Sequence, residues 1–375
     1  MPEINFSKTF FLSVLLFVCA PCFFAQTPKN LNDGLAVASL ADENVSAGKL
    51  KQLEDAIAKK EYERLTSVLL ARNGKLVYEK YYNGFNENSR HDTRSATKTI
   101  TGILIGIAID KGFIKSEKEP ILKYFADKKP FENFDARKEK ITIEDLLTMS
   151  SGLECNDDNQ FSRGNEERMY LIEDYYKFYL DLPFRGKAPW EDETKDLPFQ
   201  RRFSYCTAGT VLLGGVLERA TKMRVTDFAE KNLFAPLGIS GYEWQFTPMK
   251  TAMTGGGLRL KARDFIKIGN LFLNEGKYDG KQIVSKNWLE KSTQPHAAVD
   301  EGVNYGYLWW LPSFSYQDKK YSAYAMLGNG GNKIVVFPEL NSVVVLTNRL
   351  YGQRLGHQQT EKIINEYILP ALIEK

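Results

Sequence analysis

A chain of 375 residues with 43% hydrophobic content can bury a large core, as one big domain or as two interleaved ones. Its formal charge of +3, with 26% charged residues, is near balance and excludes a nucleic-acid surface built on excess basic charge. Acidic and basic residues are interspersed, as in KSEKEPILKYFADKKP, and such runs form solvated faces.

At the N-terminus Lys8 precedes TFFLSVLLFVCAPCFFA, an apolar run too short for a comfortable membrane span, and Gln26-Thr27-Pro28 follows it. The pattern is that of a signal peptide over residues 1–25, cleaved after Ala25, although Phe23 is bulkier than the small residue usual at that place. An uncleaved anchor is the alternative. Cleavage would leave a periplasmic or secreted protein with no stable membrane span, whose two remaining cysteines are Cys155 and Cys206. An even count in an exported protein permits a disulfide between them, and two buried thiols are the plain alternative.

Residues 26–45 are polar and are expected to form a linker. Ser46-Ala47-Gly48-Lys49 then opens a surface helix over about residues 49–63, with one apolar stripe and the serine as cap. In SVLLARNGKLVYEKYY, two apolar-rich runs flank Asn73-Gly74, the strongest short hairpin signal. Next comes RSATKTITGILIGIAIDK, in which Ser95 and Lys98 stand three apart at the start of a helix that is apolar or small on nearly every side. That spacing places a hydroxyl and an amine on one helical face. An amine entering a protein interior must be paired or give up its proton, and the second outcome makes a base. A capped helix with a snorkelling lysine is the competing structural account.

From residue 116 to about 236 the period is helical. ITIEDLLTMSSGL carries a capping box from Thr142 to Asp145, and residues 157–202, rich in charge, aromatics and proline, form a long surface excursion. SYCTAGTVLLGGVLERATK resumes a small-residue helix; Gly255-Gly256-Gly257 marks a turn, ARDFIKIGNLFLNEG a helix, and Asp279-Gly280 a second hairpin. YGYLWWLP, KYSAYAMLG, NKIVVFPE and NSVVVLTN are strand-like runs of an antiparallel sheet, and an amphipathic helix over about residues 358–373 follows. The expected fold class is therefore α/β (α+β), an antiparallel sheet flanked by N- and C-terminal helices with an inserted helical domain. The sheet domain would take residues 46–94 and 255–375, the helical domain 95–254, and the active site the cleft between them.

Taken together these segments resemble the serine β-lactamase and penicillin-binding-protein superfamily, in its class C β-lactamase-like branch of esterases, D-amino-acid peptidases and amide hydrolases. Ser95-Ala96-Thr97-Lys98 fits the Ser-x-x-Lys element. ITIEDLLTMSSGL is similar to the branch's "LLTHTSGL" segment, with Met149 in the histidine place. Tyr205-Cys206-Thr207 stands where Tyr-x-Asn is expected, and GGGLRLKARDFIKIGNLFLNEGKYDGKQIVS is similar throughout. Gly328-Asn329-Gly330-Gly331-Asn332 opens the strand that carries Lys-Thr-Gly or His-x-Gly in relatives. The resemblance implies a catalytic set of Ser95, Lys98 and Tyr205, with the acyl-serine hydrolysed by water and no metal or organic cofactor. It implies an oxyanion hole from the backbone N–H groups of Ser95 and Asn332, and substrate contacts from Thr207, Asn329, Gly330 and Gly331. Which of Lys98 and Tyr205 is the resting base stays open.

Two departures bear on substrate. Asn329 replaces the cation that meets a substrate carboxylate in peptidases and β-lactamases, and Thr207 replaces the asparagine that touches the acyl amide. Lys333 is nearby but should point elsewhere along the strand. These favour an ester or uncharged amide as a small-molecule substrate over a D-alanyl-D-alanine carboxypeptidase or weak β-lactamase acting on peptidoglycan-derived substrate. A non-catalytic cell-wall-binding relative is the rival of another class. His91, His296 and His357 lack metal-ligand spacing and are expected to be surface or structural, with His91 near the cleft mouth. Gly276-x-x-x-Gly280-Lys281 is one residue short of a P-loop, and Tyr305, Tyr307, Trp309 and Trp310 are expected to pack a strand.

Overall fold

Asn73 and Gly74 both take positive φ, 51° and 79°, the geometry that reverses a chain between two tightly paired strands. Leu65–Arg72 and Lys75–Tyr81 pair antiparallel on either side of them. These details come from a computed structural model that describes residues 27–186, 199, 201–300 and 302–374. The leader expected over residues 1–25 lies outside the described residues, as does part of the excursion over 157–202.

The hairpin is one edge of an eight-stranded sheet. Beyond it lie, in order, Ser342–Asn348, Asn332–Phe337, Tyr324–Gly328, Trp310–Leu311, Val303–Tyr305 and Ala297–Asp300, every neighbouring pair antiparallel. The central strands are apolar at successive positions because both faces are covered. Leu69, Ile334, Val343 and Val345 enter one core cluster, whereas Val68, Leu70, Val335, Val344 and Leu346 enter the other. A strand's period of two makes that division automatic.

Each face has its own helices. Leu50 and Leu53 of Ala47–Ala58, with Ile363, Ile368 and Leu372 near the C-terminus, close one face. Phe265, Ile266 and Ile268 of Ala262–Leu273 close the other, and that core continues into the helices contributed by the middle of the chain. Strands from both ends of the sequence thus share one sheet, with helices between them.

Several local expectations need correction. The first helix stops at Ala58 instead of residue 63, because Lys60 turns to φ 64° and redirects the chain. Ser46 makes no side-chain cap; its backbone N–H donates to Ala371 O at 2.8 Å, so tertiary contact holds this helix end. The excursion carries two short helices, Glu166–Met169 and Tyr175–Asp181, each capped by an Asn or Asp side chain, Asn165 and Asp174. YGYLWWLP is not one strand but supplies the end of Val303–Tyr305 and the short strand Trp310–Leu311, and the final helical stretch begins at Arg354. The Thr142 to Asp145 capping box is present, with Thr142 N–H donating to Asp145 at 2.8 Å.

Candidate active site

Ser95 sits in a single 3₁₀ turn, Arg94–Ala96, from which the helix Thr97–Asp110 continues. Every helix residue from Thr97 to Ala108 is buried, so Lys98 is carried into the interior with only 2% of its surface exposed. Its Nζ donates to Ser95 Oγ at 2.9 Å and to Gly255 O at 2.6 Å. One turn of helix brings the hydroxyl and amine together, and the glycine turn behind them supplies a carbonyl that fixes the amine. The second Ser-x-x-Lys is different. Lys49 lies at the surface and pairs with Glu374 at 3.0 Å.

Tyr205 precedes the helix Thr207–Thr221 and is held by a splint formed by residues 155–157. Cys155 and Cys206 are joined by a disulfide, Asp157 N–H donates to Tyr205 O at 2.9 Å, and Thr207 N–H donates to Asp157 Oδ2 at 2.6 Å. The Tyr205 ring lies 5.0 Å from Lys98 Nζ and 5.6 Å from the Trp310 ring. Burial raises the pKa of the phenol, opposed by the positive charge of Lys98 and by hydrogen bonding with Ser95. The carboxylates of Asp157 and Glu166 add to the rise.

Those two carboxylates were not singled out in the sequence. Burial is the main cause that pushes Asp157 up to about 6; Lys98 opposes it and Glu166 adds to it. Glu166 N–H donates to Asp157 Oδ1 at 3.0 Å, and Glu166 in turn accepts from Thr207 Oγ1 at 3.0 Å. Thr207, expected at the substrate, is wholly buried with its hydroxyl engaged by Glu166. Trp310, assigned to strand packing, also walls the tyrosine. The only signal for these partners was their place at the start of the charged excursion and among the aromatics, because neither bears a local spacing to Ser95.

The glycine turn after the sheet's Tyr324–Gly328 strand is arranged differently from the expectation. Gly328 packs on the Ser95 turn so closely that a Cβ there would lie 1.8 Å from Thr93 O. Asn332 pairs with Gly328 but belongs to the next strand inward, where it is buried, its Nδ2 donating to Asn329 O and its Oδ1 accepting from Asn348 N–H. Asn329 Oδ1 accepts from Gly352 N–H at 2.8 Å. Gly330 and Gly331 have φ of 93° and 91°, and side chains there would strike Tyr351 and Gly356. Both glycines therefore serve the close fit of the turn to residues 351–356. Lys333 points away, 3.7 Å from Glu361. His91 bonds Thr66, His296 bonds Lys291 O, and burial lowers the pKa of His357 to about 4. None of the three is hydrogen-bonded to the serine, lysine or tyrosine.

A family model described as Beta-lactamase matches residues 50–366. The 6-aminohexanoate-dimer hydrolase of Paenarthrobacter ureafaciens is 24% identical over 307 residues, 76% of this chain and 72% of that protein. Among solved structures, a Bacillus anthracis protein provisionally named 6-aminohexanoate-dimer hydrolase superposes with a TM-score of 0.68 at 22% identity, covering 94% of this chain and 93% of its own. A D-stereospecific amidohydrolase from Streptomyces sp. superposes with a TM-score of 0.61 at 15% identity, covering 85% and 98%. With the model spanning most of its length, over the buried Ser95–Lys98 pair and the sheet beside it, the chain belongs to the Beta-lactamase family.

Proposed function

We propose that this protein is a serine hydrolase that forms an acyl-enzyme on Ser95. The observation that carries this is the 2.9 Å contact from the buried Lys98 Nζ to Ser95 Oγ, with the Tyr205 ring 5.0 Å from the amine and its phenol hydrogen-bonded with Ser95. A serine hydroxyl is a weak nucleophile until a neighbouring base takes its proton. Here that proton passes to the Lys98 and Tyr205 pair as Oγ bonds to the substrate carbonyl carbon. The tetrahedral intermediate collapses by breaking the bond to the leaving group, which takes the proton. Water then attacks the acyl-serine, gives a proton to the same pair, and releases the acid with Ser95 restored.

The developing oxyanion needs preorganised donors. We assign them to the backbone N–H of Ser95 and to the end of the Tyr324–Gly328 strand, because Gly328 abuts the serine turn while Asn332 lies one strand further in. The substrate is an ester or an amide that is uncharged beside the bond that breaks. The absence of a cation at Asn329 supports this, as does the similar structure named a D-stereospecific amidohydrolase. The apolar leader at the N-terminus supports export to the periplasm or beyond. We treat residues 46–94 and 255–375 as the sheet domain and 95–254 as the inserted helical domain.

The test is intact mass of the mature protein and of Ser95→Ala after incubation with a fluorophosphonate, and separately with benzylpenicillin. Labelling of wild type that vanishes in the variant is expected, without a stable penicillin adduct. A durable penicillin adduct would favour a D-alanyl peptidase, and no label on folded wild-type protein would leave a non-catalytic cell-wall-binding relative.

A further inference from the structure

Beside the Ser95 turn, where the sheet ends, lies a cavity of about 550 Å³. Arg94, the residue before the nucleophile, forms part of its wall, and Arg90, Arg259 and Arg349 bring further guanidinium groups to it. Two carboxylates lie among them. Glu243 is 2.7 Å from Arg90 and 3.5 Å from Arg259, and Asp92 is 3.4 Å from Arg94 and 3.6 Å from Arg259. Positive charge is therefore in excess. The buried His91 does not alter the balance at neutral pH, because burial lowers its pKa to about 4.

Arg349 is the informative member. It is exposed, has no carboxylate partner among the described residues, and lies over the Phe85 ring at 5.8 Å. Stacking on an aromatic face orients a guanidinium while leaving its N–H fork unclaimed. The walls also contain two buried nitrogen atoms without a hydrogen-bond partner, His91 Nε2 and Arg259 Nε. A self-contained ion-pair surface has no reason to leave such groups unmet.

We propose that this cleft is an anion subsite that binds a carboxylate carried by the substrate away from the scissile bond. The inference rests on the serine-hydrolase reading above. The cleft adjoins the nucleophile through Arg94, and through Asn332, whose strand partner Gly328 packs on the Ser95 turn. A substrate acylating Ser95 can therefore lay its far end among the arginines, where the planar fork of a guanidinium matches a carboxylate. The position is separate from Asn329, where a cation would meet a charge beside the scissile bond. The substrate class that results is neutral at the bond that breaks and anionic at a distance from it.

The test uses esters matched in length, neutral or bearing a carboxylate on the acyl or the leaving side, with wild type, Arg349→Gln and Arg349→Lys. At least one carboxylate-bearing ester should exceed its neutral partner in kcat/KM by about tenfold, mainly through KM, and the advantage should shrink as salt is raised. It should be lost in Arg349→Gln and partly kept in Arg349→Lys, with the neutral ester unchanged in both. Equal rates on neutral and anionic esters, or an advantage untouched in Arg349→Gln, would overturn the proposal. If no ester is turned over, the cleft is judged apart from catalysis, by calorimetric titration with adipate, while the catalytic reading stands or falls on the fluorophosphonate label. Binding that weakens about tenfold in Arg349→Gln then supports the subsite. Absent or unaltered binding overturns it.

Discussion

Lys98 donates two hydrogen bonds from a buried position, one to the nucleophile and one to Gly255 O, and Tyr205 sits across from it. Groups that move one proton between them should fail as a unit. Lys98→Ala and Tyr205→Phe are each expected to lower kcat by about 10²- to 10⁴-fold. The double variant should be little worse than either alone, as measured by steady-state hydrolysis of a p-nitrophenyl ester. A fully additive loss would separate their roles. Gly328 is constrained by space, since a methyl group there meets Thr93 O. Gly328→Ala should destabilise the protein by about 1–3 kcal/mol and depress activity, read by thermal melting beside the ester assay. Asn332→Ala leaves its backbone N–H in place and tests the original oxyanion assignment only through the turn it braces.

Among the elements, the helix Ala262–Leu273 offers a clean pH test away from the site. Asp264, near its start, accepts from Lys261 N–H at 3.2 Å and lies 3.6 Å from Lys267. Burial, only partly offset by Lys267, pushes its pKa from 3.8 up to about 6. The folded state then holds this proton where the unfolded chain has lost it, so the contribution to stability falls as pH rises between about 4 and 6 and is level above that. The stability of wild type minus that of Asp264→Asn should drop by roughly 2–3 kcal/mol from pH 4 to pH 7, measured by urea unfolding. A flat or rising difference would contradict it. The splint over Tyr205 is a second element-scale device. Its disulfide spans 51 residues, and opening that loop by Cys155→Ser with Cys206→Ser should lower stability by roughly 4 kcal/mol on the chain-entropy account. Activity should survive in part, because Asp157 still ties both Tyr205 and Thr207.

At the scale of the whole molecule, the nucleophile lies where a buried helix starts, beside the end of the interior strand Tyr324–Gly328 and the glycine turn at Gly255. Among the described residues no helix is long and apolar enough to cross a membrane. What the sequence by itself determined was local: the Asn73-Gly74 and Asp279-Gly280 hairpins, the Thr142 capping box, the burial of the Ser95 helix, and the meeting of Ser95 with Lys98. Each depends on residues within a turn or two of one another, where backbone geometry leaves few alternatives. The antiparallel sheet was legible too, since strand-like runs joined by short turns pair antiparallel. Only the tertiary structure decided which strand abuts the serine turn. The same sequence, GNGGN, permits either Gly328 or Asn332 to face it, and the choice depends on how neighbouring strands stack. It alone brought Asp157 and Glu166 to Tyr205, and gathered Arg90, Arg94, Arg259 and Arg349 around one cavity. Arg94 is far in sequence from Arg259 and Arg349, as Tyr205 is from Asp157 and Glu166, and what unites them is the packing of the serine turn and its helices against the ends of interior strands, which no local spacing records.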